Sequence, residues 1–142
     1  RCMSDPNSYF QRMLRGETPP PPVATLLGAR VQHVDAKAGE LTAHYHAPIS
    51  FNNPAGTVQG GMLSAMLDDV TASLVDATLQ TGQGVVTLNL NVSFLRPAKA
   101  GELSASAHFL RQGRDVCHVH GVLSQNGKEV ASAVAVCKIV TI

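Results

Sequence analysis

A stretch of 22 residues without proline, residues 59–80, limits the fold of this chain more than any other feature. Apolar residues recur within it at spacings of three and four, at Leu63, Met66, Leu67, Val70 and Leu74. This is the period of one face of an α-helix. Glycines at 82 and 84 follow, and glycine commonly ends helices. The pattern predicts one long helix with a broad apolar face.

Alternating apolar and polar residues predict strands on both sides of this helix. Residues 29–34 and 40–46 precede it and form a hairpin around residues 35–39. Four strands follow, predicted at residues 85–94, 103–110, 116–123 and 130–140. Short turns rich in glycine, asparagine and proline separate these four, so they are mostly antiparallel. The alternation in the first of them puts one set of side chains on the face opposite Thr87, namely Val86, Leu88, Leu90 and Val92.

The order strand, strand, helix and four strands predicts a two-layer α+β domain, one long helix against an antiparallel sheet of about six strands. We place it at residues 28–142. Residues 1–27 form a helical and proline-rich lead-in, with a short helix at 4–15 capped by Ser4 and a helical turn at 23–27. The last strand is apolar on both faces, which favours a partner subunit over the second face of the sheet.

Composition and charge exclude several classes of function. The net charge is +1 and no run of lysine and arginine occurs, so we expect no nucleic-acid partner. No apolar stretch approaches the ~20 residues of a membrane span, so we expect no membrane partner. Three cysteines without CxxC spacing favour a reducing compartment. With no recognisable signal peptide, these features predict a cytoplasmic protein.

The predicted helix carries three charged residues, Asp68, Asp69 and Asp76, and no basic one. Asp69 and Asp76 are seven residues apart and share a face, where a solvated or interface edge is the simpler interpretation. Asp68 points about 100° away from Asp69, towards small residues. Aspartate is a poor helix former, so Asp68 is a candidate functional residue, although a structural role stays open.

Two glycines, Gly60 and Gly61, open the predicted helix. Glycine there costs stability, but it lets a ligand approach free backbone N–H groups at the positive end of the helix dipole. Such a helix start suits an anion or a developing oxyanion. Tight packing of the preceding loop is the alternative explanation.

The segment Asn53-Pro54-Ala55-Gly56-Thr57-Val58-Gln59-Gly60-Gly61, followed by Asp68, resembles hotdog-fold thioesterases of the 4-hydroxybenzoyl-CoA and PaaI-like type. That family carries Asn or Gln, then His-Gly-Gly, then Asp or Glu. The corresponding residues here are Asn53, Gln59, Gly60, Gly61 and Asp68. The resemblance covers residues 19–142 and implies a hotdog fold, in which an antiparallel sheet wraps around one central helix.

The resemblance also implies an acyl-CoA thioesterase that releases a free acid and CoA without a cofactor or metal. The Gly60 N–H would bind the thioester oxygen, and Asp68 would attack the carbonyl or activate water. Asn53 would orient that water or the carboxylate. Thr87 corresponds to a position where the family often has a hydroxyl near the water. In such enzymes the carboxylate and the glycines come from different chains of a homodimer, which can pair into a homotetramer.

Gln59 stands where the family has histidine. A glutamine amide donates hydrogen bonds but carries no titratable proton, so Gln59 can position or polarise the substrate and cannot be a general acid. Gly61 is a further candidate for substrate binding. Arg111 and Arg114 flank a turn and are candidates for the phosphates of CoA, although ordinary solvated charges are the alternative.

Two other functions are possible on the same fold. A non-catalytic acyl-CoA-binding or sensing protein would lack the carboxylate or carry a DNA-binding domain. A hydratase or dehydratase would need a catalytic histidine at the helix. Asp68 is present and that histidine is absent, which favours a hydrolase. Histidine pairs at 44/46 and 118/120 suit metals, but nothing completes either set, so we expect no metal site.

Overall fold

The computed structural model describes residues 4–142. The elements in chain order are α1 (Tyr9–Leu14), α2 (Pro22–Leu26), β1 (Arg30–Asp35), β2 (Glu40–Ala47), a 3-10 turn (Ile49–Phe51), α3 (Gly60–Asp76), β3 (Gln83–Phe94), β4 (Gly101–Gln112), β5 (Val116–Gln125) and β6 (Lys128–Thr141). The described residues form a six-stranded antiparallel sheet in the order β1-β2-β4-β5-β6-β3. The predicted α+β architecture is therefore confirmed, although β3 pairs with β6 and not with β4.

The apolar face of α3 packs on the sheet. The buried side chains of α3 are Leu63, Met66, Leu67, Val70, Thr71, Leu74 and Val75. The facing strands present small buried residues, among them Ala105, Ala133 and Gly121. A Cβ added at Gly121 would come within 2.8 Å of Thr71 Cγ2. Small residues in the sheet therefore allow the helix to approach closely, which fixes the height of α3 above the strands.

The helix ends differ from those predicted, because local hydrogen bonds decide them. α1 begins at Tyr9 and not at residue 4, since Ser8 caps it by accepting a hydrogen bond from Gln11 N. α3 ends at Asp76 and not at residue 80. The Thr78 hydroxyl donates a 2.7 Å hydrogen bond to a backbone carbonyl of the last turn. Such a side-chain bond competes with continuation of the helix.

A bulge interrupts β3. Its register with β6 shifts between Thr87 and Asn89, which leaves Leu88 without a partner in that pairing. Thr87 therefore lies opposite the buried Cys137, on the same face as Leu90. Val86 lies on the face opposite Thr87, as predicted, whereas Leu90 and Val92 share the face of Thr87. The prediction of one common face for all four apolar residues was therefore wrong across the bulge, where Val86 and Leu88 are 45% and 58% exposed. The bulge turns Thr87 towards α3.

β3 lies at one edge of the sheet and pairs within the described chain only with β6. Large exposed apolar side chains follow this edge, at Val86, Leu88, Phe94 and Leu95. Unpaired backbone groups beside apolar side chains are a template for pairing with another chain. No helix within residues 4–142 is long and apolar enough to span a membrane.

Candidate active site

Asp68 lies in the middle of α3 and is partly buried. Thr87 Oγ1 donates a 2.8 Å hydrogen bond to Asp68 Oδ1. Among residues 4–142, nothing donates a hydrogen bond to Asp68 Oδ2, and no basic residue pairs with this carboxylate. One carboxylate oxygen is therefore held by a hydroxyl, while the other is open to a water molecule or a substrate.

Buried side chains that lie opposite one another on adjacent strands form a row next to Thr87. It consists of Cys137 in β6 and Cys117 in β5, both of them 0% exposed. Burial raises the pKa of the Cys137 thiol to about 11, against a partial lowering by its hydrogen bond with Thr87. A neutral buried thiol is a packing group and not a nucleophile. The ionisable group of this part of the site is therefore Asp68.

The start of α3 presents free backbone donors. Gln59 is the N-cap residue, its N–H bonds to Phe51 O over 2.9 Å, and its side chain makes no capping hydrogen bond. The N–H groups of Gly60 and Gly61 donate no hydrogen bond to any other described residue. They are among the donors that every helix start leaves unpaired. Together with the helix dipole they suit a negatively charged oxygen.

The two glycines have different surroundings. A Cβ added at Gly60 would lie 3.1 Å from Cζ and 3.2 Å from Cε1 of Phe94. At Gly61 no atom of the described chain would lie within 4 Å of an added Cβ. Neither glycine has a positive φ, so the backbone conformation alone requires glycine at neither position. The space beside Gly60 is therefore limited by the Phe94 ring, whereas the space beside Gly61 is open.

Asn53 organises the loop that leads into α3. Its Oδ1 accepts hydrogen bonds from Ala55 N and Thr57 N, at 3.0 and 3.1 Å. Its Nδ2 donates to Thr57 Oγ1 over 3.0 Å. These contacts shape the turn before the helix. The role of Asn53 in orienting water stays a prediction.

Gly60 and Asp68 are not brought together within one chain. They are separated by eight positions of the same straight helix, which corresponds to a rise of about 12 Å. The Asp68 side chain is directed to Thr87 on β3. A single thioester group therefore cannot contact the carboxylate and the Gly60 amide of the same chain.

Asp69 and Asp76 lie on another face of α3, under the lead-in. With Tyr45 they line a cavity of about 250 Å³ whose other walls include Phe10 and Met13. Tyr45 OH donates a 2.6 Å hydrogen bond to Asp69 Oδ2. Burial raises the pKa of Asp69, and it raises the pKa of Asp76 to about 7. Both carboxylates are therefore partly buried and do not lie on a solvated edge, whereas the alternative of an interface edge stays a prediction.

Arg111 and Arg114 lie at the β4–β5 turn and are exposed. Both line a surface cavity there, together with His118. Neither forms an ion pair with another residue in the described range. Gln112, which lies between them in the sequence, is joined to Thr87 across the sheet through the paired residues Cys117 and Cys137. The two arginines therefore lie at about the same height along the strands as the hydrogen bond between Thr87 and Asp68.

Two contacts near the site were not predicted. The first joins Tyr45 to Asp69, and the second joins Phe94 to Gly60. Both connect residues far apart in the sequence, and both depend on where a strand ends or how it is registered. An aromatic residue at the end of an alternating strand was a signal for Phe94, whereas no pattern distinguished Tyr45.

The sequence model of the thioesterase superfamily matches residues 55–132, which is more than half of this chain. The matched region includes the start of α3 and Asp68. Human acyl-coenzyme A thioesterase 13 is 27% identical over 86 residues, which are 60% of this chain and 61% of that protein. The match thus spans about three fifths of that relative.

Solved structures are similar over most of the chain. A phenylacetic acid degradation-related protein of Ralstonia eutropha JMP134 is 59% identical with a TM-score of 0.91, and the match covers 92% of this chain and 99% of that one. The PaaI protein from the phenylacetic acid degradation operon of E. coli has a TM-score of 0.74 over 82% of this chain and 83% of its own. At 24% identity, this second likeness concerns the fold alone. The chain has the hotdog fold and belongs to the thioesterase superfamily.

Proposed function

We propose that this protein hydrolyses an acyl-CoA thioester to a free acid and CoA. The observation that carries the proposal is the pair formed by Asp68 and Thr87, in which one carboxylate oxygen is hydrogen-bonded and the other is open. A thioester carbonyl is electrophilic and thiolate is a good leaving group. The site therefore has to deliver an oxygen nucleophile and to stabilise the oxyanion.

Asp68 delivers the oxygen nucleophile by one of two routes. Its open oxygen attacks the carbonyl carbon, and water then hydrolyses the resulting acyl-enzyme anhydride. Alternatively, it takes a proton from a water molecule that attacks the same carbon. In both routes the C–S bond breaks, CoA leaves as the thiolate, and the ionised form of Asp68 is the active one. Thr87 keeps the carboxylate in one orientation.

The Gly60 amide stabilises the oxyanion, since its N–H is free and lies at the positive end of α3. Preorganised donors of this kind stabilise a tetrahedral oxyanion without rearranging. Gln59 precedes it and can donate a second hydrogen bond to the carbonyl. No step of this scheme requires a histidine at that position. Gly61 leaves space beside the amide for the substrate.

The complete site requires two copies of the chain. About 12 Å of helix separates Gly60 from Asp68 in one copy, so the amide facing Asp68 comes from a second copy. The exposed apolar edge of β3, which carries Thr87, is the surface over which we expect the copies to pair. A homodimer then has two equivalent sites. A homotetramer made of two such dimers is compatible with the same arrangement.

Arg111 and Arg114 are the proposed partners of the CoA phosphates. Both are exposed, and guanidinium groups bind phosphates through paired hydrogen bonds. A thioester of N-acetylcysteamine has no phosphates and tests this role. Arg111→Ala and Arg114→Ala should raise KM for acyl-CoA and leave KM for the N-acetylcysteamine thioester unchanged.

The proposed function is tested by thiol release from a panel of acyl-CoA esters. The wild-type protein should release CoA from at least one ester, and Asp68→Asn should lower kcat by roughly 100-fold or more. Binding of the same ester to both proteins with no release by either would instead identify a non-catalytic acyl-CoA-binding protein. Equal release by both proteins would remove the role of Asp68.

A further inference from the structure

Phe94 is the last residue of β3, and its ring lies against the first turn of α3. Its Cζ and Cε1 atoms are 3.1 and 3.2 Å from the position that a Cβ of Gly60 would occupy. The side chain is nevertheless 55% exposed. Within one chain it is therefore not a core residue. It lies on the β3 edge over which the copies are proposed to pair, beside the helix start that would face Asp68 of the second copy.

The ring disfavours a side chain at residue 60 unless the ring moves by a few tenths of an ångström. Gly60 has no positive φ, and alanine is more favourable than glycine in a helix. A Cβ at Gly60 would be in tight contact with the Phe94 ring, whereas at Gly61 the space is open. Gly60 and Phe94 thus form a matched pair, in which the missing side chain of one makes room for the ring of the other.

The exposed part of the ring adjoins the proposed oxyanion donor. A thioester carbonyl has two substituents, the acyl group and the sulfur of the pantetheine arm. The arm carries two amides and stays hydrated, whereas the carbon atoms of the acyl group gain from contact with an apolar ring. The ring also excludes water from one side of the Gly60 amide, which strengthens a hydrogen bond there.

We propose that Phe94 is a specificity-determining residue whose ring receives the acyl carbons next to the thioester carbonyl. This inference rests on the proposed function and adds a substrate class to it. The preferred acyl groups carry an apolar or aromatic body beyond the second carbon. Acetyl-CoA, which has no such body, is a poor substrate.

The first test compares acetyl-CoA, hexanoyl-CoA and benzoyl-CoA with Phe94→Ala, Phe94→Leu and Phe94→Tyr. Phe94→Ala should lower kcat/KM for the two larger esters about tenfold or more relative to acetyl-CoA. Phe94→Tyr keeps the ring and should retain the wild-type preference. Leu26→Ala, at an equally exposed apolar residue of α2, should not change the preference. An unchanged ratio in Phe94→Ala, or an equal loss for all three esters, would overturn the proposal.

Binding separates this inference from the hydrolytic function. In the Asp68→Asn background, the dissociation constants of hexanoyl-CoA and acetyl-CoA can be compared by calorimetry with and without Phe94→Ala. The same tenfold change in their ratio is expected even where no hydrolysis occurs. If the wild-type protein is inactive but the ratio changes, the proposed function fails and the binding role of Phe94 stands. If hydrolysis depends on Asp68 and the ratio does not change, only the inference fails.

A second test uses the matched pair directly. Gly60→Ala retains the backbone N–H but places a Cβ against the ring. Its loss of kcat/KM for hexanoyl-CoA should be larger in the wild-type background than in Phe94→Ala, where the space is free. Equal losses of kcat/KM in the two backgrounds would show that the Phe94 ring does not limit the space beside Gly60.

Discussion

The hydroxyl of Thr87 and the carboxylate of Asp68 form a 2.8 Å hydrogen bond between β3 and α3. The bond exists because the bulge at Leu88 turns Thr87 to the helix side of the sheet. It holds one oxygen of Asp68 and leaves the other exposed to the site. The orientation of the proposed nucleophile or base therefore depends on a hydroxyl that the regular strand would have pointed elsewhere.

Thr87→Val removes this hydrogen bond and keeps the shape of the side chain. We expect kcat to fall about tenfold or more with little change in KM, because a hydrogen bond to a charged group is lost. Thr87→Ser keeps the hydroxyl and should retain most of the activity. Steady-state kinetics on one acyl-CoA ester measure both effects. A wild-type kcat in Thr87→Val would show that the hydroxyl does not position Asp68.

Two substitutions at Gly60 separate the backbone donor from the space around it. Proline at the first helical position is well tolerated and has no N–H. Gly60→Pro and Gly60→Ala both add a Cβ against Phe94, and only the first removes the donor. We expect kcat of Gly60→Pro to lie about 10²–10³-fold below that of Gly60→Ala.

Circular dichroism is the control for this pair, since both variants must keep the helix. Equal kcat values in two folded variants would mean that the amide of residue 60 does not bind the oxyanion. The comparison needs no assumption about the acyl group.

Asp76 makes stability depend on pH, because burial raises its pKa in the folded protein to about 7 from an ordinary 3.8. Between these values the unfolded chain loses the proton while the folded protein keeps it. The free energy of unfolding therefore falls as pH rises through this window. Asp76→Asn removes the effect, and its Tm should exceed that of the wild type by roughly 5 °C at pH 8. The difference should shrink towards pH 4.

Asp5→Asn provides a control, because its change in Tm should have the opposite sign to that of Asp76→Asn. Hydrogen bonds from Thr81 and from the backbone of Asn7 lower the pKa of Asp5. The ionised carboxylate therefore adds to the free energy of unfolding above its ordinary pKa, and this addition is lost as the pH falls through the lowered pKa. Asp5→Asn should thus lower Tm at pH 8 and lose this effect under acid conditions. Thermal unfolding followed at several pH values measures both variants. A Tm difference for Asp76→Asn that does not vary with pH would contradict the assignment of a buried, protonated carboxyl.

Most of the fold could be predicted because the apolar period changes from two to about 3.6 between strands and helix. Six strands and α3 were found in this way and are confirmed. The ends of α1 and α3 were not, because the hydrogen bonds of Ser8 and Thr78 decide them locally. The bulge at Leu88 was missed because pairing with β6 creates it.

The site was predictable to the extent that its residues are close in sequence. Gly60 and Asp68 were candidates from their positions in the predicted helix, and the resemblance to a family to which the chain does belong added their catalytic roles, which stay predictions. The ring of Phe94 at Gly60 and the contact of Tyr45 with Asp69 were missed. Each depends on how a distant strand meets α3, so even the strand-end position of Phe94 did not show which residue its ring would contact.

The central claim is that Asp68 of one copy and Gly60 of another share a thioester, and a mixed dimer tests it most directly. Asp68→Asn and Gly60→Pro chains carrying different affinity tags are co-expressed, and dimers holding both tags are isolated. Each such dimer has one intact site and one doubly altered site, so we expect about half of the wild-type kcat, far above either parent variant. Mixed dimers no more active than their parents would show that the two residues do not meet across chains.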